Sequence, residues 1–105
     1  MEYKLQLSET YMEETEEICN YIENNLKSIE ASKRLRRKIR QTILGLKYFP
    51  EMYQEIEITD RYGRHYRRMV INNYVILYIV LEEEKTVLIS HIYYGRRNYI
   101  DGGYL

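Results

Sequence analysis

The sequence predicts an α+β domain in which a helical hairpin packs on a mostly antiparallel sheet, in the element order β-α-α-β-β-β(-β). Three observations predict it. Two consecutive segments before Pro50 carry apolar residues at steps of three and four. After Pro50 the apolar pattern changes to a period of two. Tyr74 to Leu81 is then continuously apolar, as a central strand buried on both faces must be. With 105 residues the chain has room for one core, so residues 1–105 form a single domain.

Tyr3, Leu5 and Leu7 alternate with polar residues and predict a first strand with one buried face. Ser8 is placed to cap a helix, because its hydroxyl can accept from the unpaired amides of the first turn. Glu9, Glu13 and Glu14 suit the positive end of the helix dipole. Tyr11, Met12, Thr15, Ile18, Cys19, Ile22 and Leu26 form one apolar stripe, so the helix runs from about residue 9 to about residue 26. Ser28 caps a second helix whose stripe is Ala31, Leu35, Ile39, Thr42 and Leu46, with Ile43 beside it. Pro50 stops that helix, since the residue before proline disfavours the helical well. Glu55 to Thr59 alternates and fits either a short edge strand or an extended loop. Asp60-Arg61-Tyr62-Gly63 is a turn. Arg64 to Ile71 and Tyr74 to Leu81 are strands joined by Asn72-Asn73, a dipeptide that tolerates the left-handed backbone of a tight hairpin. Glu82 to Lys85 turn the chain again. Thr86 to Tyr94 is the last strand, and strict alternation puts Val87, Ile89, His91 and Tyr93 on one face and Leu88, Ser90, Ile92 and Tyr94 on the other. Gly95 to Leu105 reads as a loop or short extension.

Composition narrows the function classes. The chain is 45% hydrophobic and 30% charged, which is globular rather than disordered. No apolar run approaches the ~20 residues of a membrane span, and the start lacks a basic flank and an apolar centre of a signal peptide. The single cysteine excludes an intrachain disulfide and a cysteine-based zinc cluster, and a cytoplasmic location is expected. Sixteen basic and sixteen acidic residues cancel, which argues against general adhesion to nucleic acid. The charges are nevertheless sorted: residues 1–30 carry two basic and eight acidic side chains, and residues 31–50 carry seven basic and no acidic ones. An acidic helix beside a basic one is expected to offset charge across the hairpin seam, with each exposed pair contributing about 0–1 kcal/mol.

Catalytic signatures are absent. There is no glycine-rich phosphate loop, no His-Glu-x-x-His helix and no nucleophile elbow. Cys19 lies in the apolar stripe and reads as a structural thiol. His65 and His91 do not make a metal site, and no cofactor is expected. The informative stretch is Arg64 to Tyr104. It carries Arg64, Arg67, Arg68, Arg96 and Arg97, interleaved with tyrosines that include Tyr66, Tyr94, Tyr99 and Tyr104. Guanidinium groups hold phosphate with a fork of donors, and phenol rings stack on bases. The same pair of residue types anchors protein interfaces. A tyrosine-rich sheet whose arginines cap its solvent face accounts for the composition equally well.

The chain as a whole resembles the RelE/ParE superfamily of bacterial type II toxin–antitoxin toxins. The resemblance rests on the element order and on four motifs: Leu46-x-x-Phe49-Pro50, Tyr66-Arg67-Arg68-Met69-Val70, Asn73-Tyr74-Val75-Ile76-Leu77-Tyr78, and His91-x-x-Tyr94-Gly95-Arg96-Arg97-Asn98-Tyr99. It implies a RelE/ParE-like fold, a growth-arresting toxin, and a cognate antitoxin that wraps a segment over it. RelE-like members are ribosome-dependent, metal-independent mRNA endoribonucleases acting through 2′-hydroxyl attack. ParE-like members instead inhibit DNA gyrase. On the RelE route the resemblance puts Arg68 and Arg97 at basic positions of the site and Tyr104, or less well Tyr99, at the C-terminal tyrosine; Arg67, Arg68 and Arg97 would then hold phosphate, with Tyr94, His91 or Tyr104 near the hydroxyl. Val75, however, stands where RelE-like toxins carry an arginine, and Tyr66 stands at a second basic position. The ParE-like reading is therefore preferred, with Arg64, Tyr66, Arg67, Tyr94, Arg96 and Tyr99 as the binding set. The RelE-like nuclease and a non-catalytic binding module are the alternatives.

Overall fold

The computed structural model describes residues 2–95. Its elements are β1 (Lys4–Leu7), α1 (Glu9–Asn24), α2 (Ile29–Gly45), β2 (Glu55–Thr59), β3 (His65–Ile71), β4 (Tyr74–Leu81) and β5 (Thr86–Tyr94), with one 3-10 turn at Glu82–Glu84. Residues 55–59, which the sequence left between strand and loop, form the edge strand β2. The expected extension after Gly95 lies outside the described residues.

Each helix begins where a serine can satisfy its first amides. The Ser8 hydroxyl accepts from the Tyr11 N–H at 2.9 Å, and the Ser28 hydroxyl from the Ala31 N–H at 3.1 Å. The link between the helices bends through Lys27, whose φ of 56° is left-handed. The first helix stops two residues short of the predicted end, so Leu26 stays exposed.

All five strands belong to one sheet in the order β1-β5-β4-β3-β2. β1 runs parallel to β5, and every other neighbouring pair is antiparallel. The helical hairpin covers one face. Tyr11 and Ile22 of α1 and Leu35, Ile39 and Ile43 of α2 meet Met69, Ile76, Tyr78 and Ile89 of the sheet in the main core. Each such side chain contributes about 1.5–3 kcal/mol by leaving water. The opposite face carries a smaller cluster, built from Tyr66, Val75, Leu77, Ile79 and Tyr93 with Ile56 and Ile58 beside it. None of the described helices is long and apolar enough to cross a membrane.

Two expectations are corrected. The first concerns β5. Leu77 pairs with His91, but the next residue, Tyr78, pairs with Ile89. Ser90 is therefore an extra residue, a β-bulge, and it reverses the alternation. Val87, Ile89 and Ile92 face the helices, while Tyr93 joins the opposite cluster. His91, paired with Leu77 of that same cluster, faces the same way. Strict alternation had grouped His91 and Tyr93 with Val87 and Ile89, because it allowed for no inserted residue. The second concerns the hairpin seam. Only Arg36–Glu16, at 3.0 Å, bridges the two helices as an ion pair among the described residues. The stripes that face the sheet turn most of the α2 cations outward, so the offset is confined to Arg36, which faces Glu16 and feels Glu23.

Candidate functional site

The bulge and the pleat assemble one row of side chains on the sheet face away from the helices. Arg68 on β3 pairs with Leu77 on β4, and Leu77 pairs with His91 on β5. Neighbouring strands lie about 4.8 Å apart, so Arg68 and His91 flank Leu77 with backbones about 10 Å apart. Tyr66, two residues before Arg68, shares its face. The Tyr66 ring meets the His91 ring edge-on at 6.1 Å, and Tyr93 stacks on His91 at 5.4 Å with planes 16° apart. The row thus holds one guanidinium, one imidazole and two phenols over a dry floor of Val75, Leu77 and Ile79.

His91 sits beside Glu14, a residue that no motif singles out. β1 pairs with β5 only as far as Ile89, which leaves the next β5 backbone groups without a strand partner. The start of α1 fills the gap. The Ser8 N–H donates to the Ile89 carbonyl at 2.9 Å, and the Ser8 hydroxyl donates to the Ser90 carbonyl at 2.8 Å. Glu14 Oε1 accepts from the Ile92 N–H at 3.1 Å, and the same oxygen lies 3.5 Å from His91 Nδ1. At that distance the imidazole contact is electrostatic rather than an aligned hydrogen bond. In the sequence Glu14 is one of three acids suited to the helix dipole. Nothing in the spacing could connect it to a ring 77 positions later.

The chemistry of the row follows from these groups. Burial pushes the Tyr66 phenol above its ordinary value, with the Asp60 carboxylate adding to the effect. Tyr66 is therefore a hydrogen-bond donor at neutral pH and not a base. An imidazole can exchange a proton and a guanidinium can hold an anion. Cleaving a phosphodiester further requires stabilisation of the equatorial oxygens and protonation of the leaving oxygen.

Arg64 lies near enough to the Tyr66 phenol to act on its charge, whereas Arg67 and Tyr94 lie on the helix side. Arg67 pairs with Tyr78, so it points to the helix side. Its guanidinium donates to the Tyr53 carbonyl at 2.8 Å and lies 3.5 Å and 3.7 Å from the carboxylates of Glu51 and Glu55. The Tyr78 hydroxyl donates to the Pro50 carbonyl at 2.8 Å, and burial pushes that phenol up to about 12. Arg67 and Tyr78 together tie down the segment between α2 and β2. Arg64 pairs with Asp60 at 2.7 Å and lies over the Tyr62 ring at 5.2 Å. Asp60 also accepts from the backbone N–H groups of Tyr62 and Arg64, both at 2.9 Å. Burial raises the Asp60 carboxyl, but these hydrogen bonds outweigh it and hold the group below the usual carboxylate range. Tyr94 packs edge-on against Tyr74 at 5.3 Å near the hairpin turn, on the helix side. Arg96, Arg97, Tyr99 and Tyr104 lie outside the described residues. Of the sequence-derived candidates, the structure brings together Tyr66, Arg68 and His91, and adds Tyr93 and Glu14.

A second feature lies on the helix side. A groove of about 610 Å³ runs between β1 and the two helices. Exposed Leu7, Met12 and Leu44 line it, and the Arg36–Glu16 pair forms part of its wall. β1 is an edge strand, so one row of its backbone groups has no strand partner.

A family model described as the ParE toxin of type II toxin–antitoxin system, parDE, matches residues 5–99. No curated protein sequence matches the chain. Among solved structures, a chain of the toxin–antitoxin complex RelBE2 from Mycobacterium tuberculosis is similar, with a TM-score of 0.60 at 13% identity, covering 90% of this chain and 99% of that one. At that identity the likeness is one of fold.

Proposed function

The chain belongs to the ParE toxin family of type II toxin–antitoxin systems, and from that premise we propose that it arrests growth in the cytoplasm by binding DNA gyrase rather than by cutting RNA. One observation carries this reading. Arg64 and Arg67 are tied into the fold by Asp60 and by the Tyr53 carbonyl. Arg68 shares the face opposite the helices with Tyr66 and His91, over an apolar floor that includes Val75. A row of two phenols, an imidazole and a single arginine resembles the aromatic and arginine anchors of a protein interface. It offers little to neutralise a phosphodiester dianion-like transition state. The RelE-like reading has one observation in its favour, the shared row of Arg68 and His91.

The antitoxin is the second partner. We assign it the groove beside β1, where an apolar segment would cover Leu7, Met12 and Leu44 and could hydrogen-bond the free edge of the strand.

Purified protein added to gyrase supercoiling assays is expected to inhibit the enzyme and accumulate cleaved DNA complexes, and Arg68→Gln or Tyr66→Ala is expected to weaken both effects at least tenfold. Cellular RNA ends should be unchanged on induction. Codon-positioned cuts in translated messages that disappear in Arg97→Ala would replace this proposal with the nuclease. Normal growth with folded protein would leave a binding module.

A further inference from the structure

The cations of α2 are not consumed by the fold. Lys33, Arg34, Arg37 and Arg40 are exposed, and none has an ion-pair or hydrogen-bond partner among the described residues. They recur at positions i, i+1, i+4 and i+7, on one arc of about 120°; Lys33, Arg34 and Arg37 are turned away from buried Leu35, Ile39 and Ile43, and Arg40 ends the arc at the rim of the groove beside β1. At 1.5 Å rise per residue the arc spans about 10 Å. Lys38 extends it sideways, where its ammonium donates to Asn72 Oδ1 at 2.9 Å. Among the described residues only Arg36 of α2 is drawn to an acid, Glu16. A whole-molecule charge of zero therefore conceals a strongly basic helix face.

We infer that the outward face of α2 docks on the phosphate backbone of duplex DNA. The choice of partner follows from what the face lacks. Between Glu30 and Gln41 no exposed position is apolar. Protein interfaces take most of their energy from buried aromatic and aliphatic anchors, and there are none here. Single-stranded nucleic acid is held by stacking on aromatic rings, and there are none of those either. Exposed guanidinium and ammonium groups on a straight rod suit a regular phosphate array, which needs only charge and donors. The B-form major groove, about 12 Å wide, accommodates a helix, whereas the A-form groove of duplex RNA is too narrow. The acidic side chains of α1, Glu13 and Glu17 among them, repel phosphate and so restrict the approach to the α2 side. This contact uses the opposite side of the molecule from the Arg68–His91 row and does not depend on the gyrase reading.

The test is fluorescence anisotropy of the full chain with a labelled 20-base-pair duplex DNA across a salt series. Binding is expected at low salt, with log K falling against log[salt] at a slope of about −4, as for about four neutralised phosphates. The variant with Lys33, Arg34, Arg37 and Arg40 all changed to Gln should lose at least a hundredfold in affinity and most of the slope. A charge-matched variant with Lys4, Lys47, Arg61 and Lys85 changed to Gln should bind within threefold of the original. All substituted positions on α2 are exposed, and circular dichroism checks that both variants remain folded. Equal losses in the two variants would overturn the proposal, because net charge alone would then account for binding. Binding lost in an Arg96→Gln/Arg97→Gln variant but kept in the α2 variant would also overturn it. So would a preference for duplex RNA, or for poly-glutamate as an acidic-protein probe, over DNA.

Discussion

Arg67 and Arg68 are adjacent in sequence and opposite in role, because successive side chains on a strand point to opposite faces. Arg67 stabilises the helix-side packing through the Tyr53 carbonyl. Such a charge-assisted hydrogen bond is worth about 1.5–3 kcal/mol, and the two pairs with exposed Glu51 and Glu55 add little. Arg67→Gln is expected to lower the unfolding free energy by about 2 kcal/mol in a urea titration; an unchanged midpoint would show that the segment between α2 and β2 is held by other contacts. Asp60 gives a pH signature. Its carboxyl titrates lower in the folded chain than in the unfolded one, so on acidification protons bind the unfolded form first. Its contribution is complete above the unfolded value of about 3.9 and is lost as pH falls through the lower folded value. Asp60→Asn should flatten the acid limb of the stability–pH curve below about pH 4, leaving the limb above it parallel to the original.

Elements depend on a few residues that serve two neighbours at once. Ser8 caps α1 and also donates to the Ser90 carbonyl of β5, whereas the Ser28 hydroxyl caps α2 alone among the described residues. Ser28→Ala should cost about 1 kcal/mol, and Ser8→Ala about 2 kcal/mol because it also leaves a strand carbonyl without its donor. Equal losses by thermal or chemical unfolding would mean that the Ser90 carbonyl is satisfied without the serine. The bulge at Ser90 decides which side of the sheet receives His91 and Tyr93. Deleting Ser90 would restore strict alternation and drive both rings toward the apolar core beneath the helices. That variant is expected to show no cooperative unfolding transition; a native-like transition would require the sheet to absorb the deletion by a register shift elsewhere.

At the scale of the molecule, stability comes from two apolar clusters on either side of one sheet, and ion pairs among the described residues are few and mostly exposed. Raising sodium chloride from about 50 to about 500 mM should therefore shift the melting temperature by less than about 3 °C. A larger shift would mean that the sorted charges of α1 and α2 interact across the hairpin more strongly than the single Arg36–Glu16 bridge indicates. The element order, both serine caps, the Asn72-Asn73 hairpin and the central strand were all legible in the sequence, because periodicity, capping and turn chemistry are local properties. So was the family resemblance carried by the motifs around Tyr66, Tyr74 and His91. The site was legible only in part. Arg64, Tyr66, Arg67, Arg68 and His91 are equal candidates in the sequence; only the folded chain sets Tyr66, Arg68 and His91 in one row and engages Arg64 and Arg67 with Asp60, Tyr53, Glu51 and Glu55. Glu14 and the Ser90 bulge could not be read at all. Local sequence sets which residues can form a strand or a helix, while strand register and the meeting of distant segments are set by packing and by the need to satisfy backbone groups that a short neighbouring strand leaves open.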